Sequence, residues 1–167
     1  MEEIINKVAL SSLVSLDLEE FYPQGKRIEY DLATNLYEGL VLREKDFRAF
    51  LKTHDWKYYE NTHVAIKCSS DAIVPTWAYM LVAIHLEPYA KTIIFGDSTV
   101  LETELSRQMI ANLDVEKYKD AKVVIKGCSK LPIPISAYVE ISRILRPLVA
   151  SLMFGEPCST VPLYKRK

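Results

Sequence analysis

Three cysteines stand in related settings along this chain. In "KVVIKGCSKLPIP" (122–134), Cys128 follows the apolar β-branched run Val123, Val124 and Ile125 and one glycine. In "HVAIKCSSD" (63–71), Cys68 follows Val64, Ala65 and Ile66, while "FGEPCSTVP" (154–162) holds Cys158 near the C-terminus. Each of the three is followed by serine. Cysteine thiolates are preferred ligands of zinc and of iron in clusters, and three with a fourth group complete a tetrahedron. Asp97, or one of His54, His63 and His85, is the candidate fourth ligand. His85 lies among apolar residues in "LVAIHLEPY" and reads better as a core or helix-surface residue. His63 opens its strand, at the edge away from the cysteine loops. No CxxC pair is present.

Two other readings of the thiols stand beside the metal site. Cys128 alone could be a nucleophile, because backbone N–H groups and a helix dipole at a strand-to-helix loop favour a thiolate. No histidine is placed to act as its base, and Lys130 or Lys67 would supply positive charge. Alternatively, free cysteines pack as small apolar groups.

The elements that must position these residues become regular from His63 onward. Strand His63–Lys67 leads to a helix over Thr76–Tyr89. Strand Thr92–Phe95 leads to a helix over Val100–Leu113, and strand Lys122–Lys126 to one over Ser136–Ser151. Such alternation predicts parallel pairing with right-handed crossovers. The loops that leave the carboxyl ends of such strands gather along one edge. That chain direction puts Cys68, Asp97 and Cys128 on the same side, lined by Ser69, Asp71, Trp77, Ser98, Ser129 and Lys130. Asp97, Ser98 or Thr99 is placed to cap the helix near Val100, and Thr76 or its predecessors the helix before it.

Before His63 the pattern is less regular. "EEIINKVALSS" has apolar residues at helical spacing, "LVSLDL" alternates as a half-buried strand does, and "EKDFRAFLKTHD" is helical. Arg27–Asp31 and Gly39–Leu42 read as extended. The aromatic group "DWKYYEN" reads as a partly buried rim around Trp56, whereas Trp77 is a candidate ligand wall. Pro157 and Pro162 exclude a helix from the C-terminal arm.

The whole chain sets bounds on function. At 167 residues and 49% hydrophobic, it reads as one globular domain. Twenty-one basic against 22 acidic side chains leave a net charge of −1, which gives no electrostatic footprint for nucleic acid. No apolar run is long enough for a bilayer and no secretory signal is evident. Three cysteines, an odd number, argue against a disulfide framework and for the cytoplasm. No solenoid-length repeat, low-complexity segment or Gly/Ser linker is evident.

The phrases "LVLREKDFR", "CSSDAIVPTWAYM", "GCS" and "GEPCSTVPLYK" resemble a bacterial family known as domain of unknown function 2480, over nearly the whole chain. The resemblance implies no established activity. It carries an association with gene neighbourhoods for iron–sulfur cluster assembly, which favours metal or sulfur handling by Cys68, Cys128 and Cys158.

The expectation is therefore an α/β layered domain with a mostly parallel sheet, repeated βα units over 63–152, an N-terminal α+β extension over 1–62 that adds edge strands, and an extended arm over 153–167. Its leading function is a cysteine-lined site of Cys68, Cys128, Cys158 and Asp97 that binds zinc, iron or an iron–sulfur species. The alternatives are a thiol enzyme or sulfur-transfer protein using Cys128, and a non-catalytic interaction module with structural cysteines. A metal or small-molecule ligand, a protein partner or a homo-oligomer follow from these respectively.

Overall fold

The computed structural model describes residues 13–127, 130–156 and 158–167. The expected N-terminal helix lies outside them. The chain divides into two compact units. The inserted unit runs from Gln24 to Glu104; the host unit comprises the chain up to Pro23 and from Leu105 to Lys167.

The inserted unit is a β-α-β-α-β run: strand β2 (Arg27–Asp31), helix α1 (Glu44–Thr53), β3 (His63–Lys67), α2 (Thr76–Leu86) and β4 (Thr92–Phe95). Its strands are all parallel in the order β2-β3-β4. Helices cover such a sheet, so its central strand reads as a continuous apolar run. Val64, Ala65 and Ile66 of β3 are buried accordingly. Val64 and Ile66 pack with Phe47 and Leu51 of α1, Ala78, Val82 and Leu86 of α2, and the aromatic group Tyr30, Trp56 and Tyr59.

Strand β1 (Leu13–Leu16) belongs to the host unit, with β5 (Lys122–Ile125), helix α4 (Ile135–Leu145), β6 (Ser151–Glu156) and β7 (Ser159–Lys165). The order is β1-β5-β6-β7, parallel except for the β6–β7 hairpin. Helix α3 (Ser98–Ala111) contains the boundary between the units. The N-terminal extension does supply edge strands, β1 and β2, but to two sheets.

The two units repeat one design. Residues 63–97, "HVAIKCSSDAIVPTWAYMLVAIHLEPYAKTIIFGD", align without a gap with 122–156, "KVVIKGCSKLPIPISAYVEISRILRPLVASLMFGE". The geometry repeats with the letters. Asn61 and Asp120 precede the central strands with φ of 57° and 58°. Their N–H groups donate to the carbonyls of Tyr89 and Leu148, each at 2.9 Å. Tyr79 meets Phe95 edge-on at 5.2 Å, and Tyr138 meets Phe154 edge-on at 5.7 Å. At the end of each first strand an aspartate caps the next turn: Asp31 accepts from the Ala33 N–H and Asp17 from the Glu19 N–H, both at 3.0 Å.

Three expectations need correction. Gly39–Leu42 forms no strand; a turn closed by a single bridge between Tyr37 and Val41 occupies that stretch. The helix expected over Ser136–Ser151 stops at Leu145, and Ser151 already opens β6. Pro147 cannot continue a helical ladder, so the apolar residues after it are free to turn and extend. The helix starting at Thr76 has no side-chain cap; Pro75 holds the N-cap position, as Pro134 does for α4.

Candidate functional site

The carboxyl ends of the inserted unit's strands carry Glu29 and Asp31 on β2, Lys67 and Cys68 at β3, and Asp97 after β4. Each of these groups has a partner. Lys67 Nζ pairs with Glu29 Oε2, and Glu29 Oε1 accepts from the Ser98 N–H at 2.9 Å. Asp31 Oδ1 accepts from the Ser69 N–H at 2.9 Å as well as from Ala33. Asp97 Oδ1 accepts from the N–H groups of Thr99 and Val100, each at 3.0 Å, and so is the one of the three candidates that caps α3.

The charges follow from these partners. The Lys67 hydrogen bond, then that from Ser98, holds the Glu29 carboxyl below its ordinary value of 4.5. Burial pushes Asp31 up, but the bonds from Ser69 and Ala33, with Lys67 nearby, outweigh it and leave the carboxyl below 3.8. The Glu29 bond in turn raises Lys67. A carboxylate with a lowered folded pKa stabilises the fold fully above its ordinary value, and the contribution vanishes as pH falls through the lowered one. Glu29→Gln is therefore expected to melt below the wild type at pH 7, with the gap in Tm closing below about pH 4.5. Thermal melts at stepped pH check this.

The host unit has the same arrangement. Lys126, the counterpart of Lys67, lies 3.3 Å from Asp17 Oδ2. Glu19 Oε1 accepts from the N–H groups of Lys130 and Leu131, the latter at 2.9 Å. A lysine at the end of each central strand, neutralised by an acid from or just after the neighbouring strand, ties adjacent strand ends together in both repeats.

The cysteines do not share this equivalence. Cys68 aligns with Gly127, and Cys128 aligns with Ser69. Cys68 is half-buried against the inserted unit's core, and its thiol donates to the Ser70 carbonyl at 3.6 Å. Cys158 is exposed in the turn between β6 and β7. Cys128 and Ser129 lie outside the described residues. Among the described residues, no three His, Cys, Asp or Glu side chains gather to hold a metal ion. Alkylation followed by mass spectrometry is expected to modify Cys158 at least about tenfold faster than Cys68, since access governs thiol reactivity.

The three histidines and Trp77 have structural partners. His63 joins Thr92 Oγ1 at 3.0 Å and the Gln24 carbonyl at 2.9 Å, and His85 Nδ1 lies 2.8 Å from the Leu81 carbonyl. His54 sits against Trp56 and Tyr59, and burial lowers its pKa. Trp77 is half-buried beside Phe47, with the Arg48 guanidinium 5.7 Å over its ring. Asp71 and Lys130 are exposed. Trp56, expected at a rim, is a buried core residue.

Sequence reasoning missed an apolar surface. Helix α2, "TWAYMLVAIHL", has apolar side chains on every face. One face is in the core, yet Met80 and Ile84, one turn apart, are 59% and 64% exposed. Phe95, edge-on to Tyr79 at the end of β4, is 71% exposed. The counterpart of Met80 in the host unit, Val139, is exposed too and lines an open groove of about 610 Å³ with Ile135, Tyr138, Phe154 and Leu163. The signal was legible in α2, because a solvent-facing helix ordinarily shows a polar stripe.

Fold and strand ends together define a protein of two repeated parallel βαβαβ units with charge-tied strand ends. The chain belongs to the family described as "Protein of unknown function (DUF2480)", whose model matches residues 2–166. No curated protein and no solved structure matches it. No helix among the described residues is long and apolar enough to cross a membrane.

Proposed function

We infer that this chain is a protein-interaction module in which the strand-end charges and Cys68 are structural. The observation that carries this is the outer stripe of α2, where Met80 and Ile84 face outward from a helix that is apolar all round. Apolar side chains grouped on one exposed face mark a surface that another chain covers. Phe95 extends the stripe beyond the helix. At the strand ends, Lys67, Glu29, Asp31 and Asp97 already have partners, and the same Lys–acid tie recurs at Lys126 and Asp17, as a structural device would.

Metal or sulfur handling by Cys68, Cys128, Cys158 and Asp97, and nucleophilic chemistry at Cys128, are the competing readings. Their support is the order of strands and loops, which directs Cys68 and Asp97 to the carboxyl ends of β3 and β4.

A photo-crosslinking residue placed at Met80 in cells tests the interaction reading. It is expected to give a discrete protein adduct, while the same residue at exposed Asp71 gives none. No adduct at position 80 would overturn the reading.

A further inference from the structure

We propose that the chain covering this surface is a second copy, joined by antiparallel pairing of β4 with β4 across a two-fold axis. The proposal rests on the interaction reading and names its partner.

Strand β4 closes one edge of its sheet and pairs only with β3 among the described residues. Its counterpart β6 is not an edge, because β7 pairs along it. The repeat thus shows what a strand in this position accepts: one further antiparallel strand. An edge presents a row of backbone N–H and C=O groups that can template pairing with another chain, and proteins blunt such edges with charges, prolines or bulges. The outer strand β7 has Pro162, Lys165 and an irregularity opposite Leu152/Met153, and the edge strand β2 has Arg27, Glu29 and Asp31. Strand β4 reads Thr-Ile-Ile-Phe, with none of these.

The strand also complements itself. Lys91 precedes it and Asp97 follows it, both exposed. Antiparallel pairing centred on Ile94 sets Ile94 opposite Ile94 of the second copy and Ile93 opposite Phe95. It also brings Lys91 of each copy beside Asp97 of the other, so charge complementarity appears twice by symmetry. The apolar stripe continues from the strand end, with Phe95 against Tyr79 and Met80 next along α2. At about 200 Å² per large side chain, and at 59%, 64% and 71% exposure, Met80, Ile84 and Phe95 supply roughly half of the about 800 Å² that each partner gives a standard interface. Paired backbone adds to that.

Sedimentation of the purified full chain tests this. The wild type is expected at twice its 19.1 kDa mass. Met80→Glu with Ile84→Glu should sediment as a monomer, with circular dichroism showing the fold retained. Exposed Lys91→Glu supplies a second variant that spares the core, and should raise the dimer dissociation constant about twofold to tenfold, as two rim ion pairs would. A monomeric wild type that still gives a Met80 adduct of another mass would overturn the second copy and leave the interaction reading standing. A monomeric wild type with no adduct would overturn both. A dimer indifferent to both variants would place the contact elsewhere and overturn this pairing.

Discussion

Trp56→Ala is expected to destabilise the protein by about 3–5 kcal/mol, the cost of emptying a large aromatic site in a core. The ring is 8% exposed and stacks on Tyr30 with 5.9 Å between centroids. His54 and His85 pack against it at 4.7 and 5.1 Å. Its indole N–H also donates to the Leu51 carbonyl at 2.8 Å. Leu51 lies in the last turn of α1, where carbonyls have no intrahelical partner and need one from elsewhere. Alanine removes both the packing and the bond. Trp56→Phe keeps most of the packing and loses the donor, so a smaller cost of about 1–3 kcal/mol is expected. Urea unfolding of the three proteins separates the two contributions; equal losses in both variants would assign the effect to the hydrogen bond alone.

Gly155→Ala is the second large effect, at about 1–3 kcal/mol. Gly155 in β6 has φ 125°, a region that side-chain-bearing residues rarely enter. A Cβ there would sit 2.6 Å from the Ser159 carbonyl oxygen, a backbone atom of the hairpin that cannot swing away. Relief requires the β6–β7 hairpin to open, which would move Leu163 from the wall of the host unit's groove. The variant should therefore melt lower and also exchange the backbone amides of β7 faster than those of β5. Uniform exchange rates would place the damage outside the hairpin. Gly96, the counterpart, has φ 139° and the side chain of Val100 nearby instead of backbone.

What the sequence made legible follows from how each element announces itself. Strands β3 and β4 were readable to the residue, because a strand buried between helices is a short apolar β-branched run with clear ends. Strand β6 was not. "RILRPLVASLMFGE" is apolar on both sides of the true helix end at Leu145, and only Pro147 marks the break. Aligning "SLMFG" with "TIIFG" would have exposed it. The division into two sheets was beyond reach, since β1 pairs with β5 across a long stretch of chain that folds as its own unit. The candidate site was legible in part. Asp97, one of three candidate caps, does cap α3, His63 does open its strand, and His85 bonds within its own helix. The repeated Cys-Ser pattern was misleading in one respect: Cys68 and Cys128 occupy neighbouring places in the two repeats, not equivalent ones. The exposed stripe of α2 could have been found by asking which helix lacks a polar face.

The most direct test of the account is the oxidation of Met80 in intact cells, compared with the purified chain at high dilution. Hydroxyl radicals convert an accessible methionine to its sulfoxide, which mass spectrometry counts. If another chain covers the outer stripe of α2, Met80 is strongly protected in cells and becomes reactive on dilution. Equal oxidation in both settings would mean that the stripe meets only water, and would contradict the interaction reading.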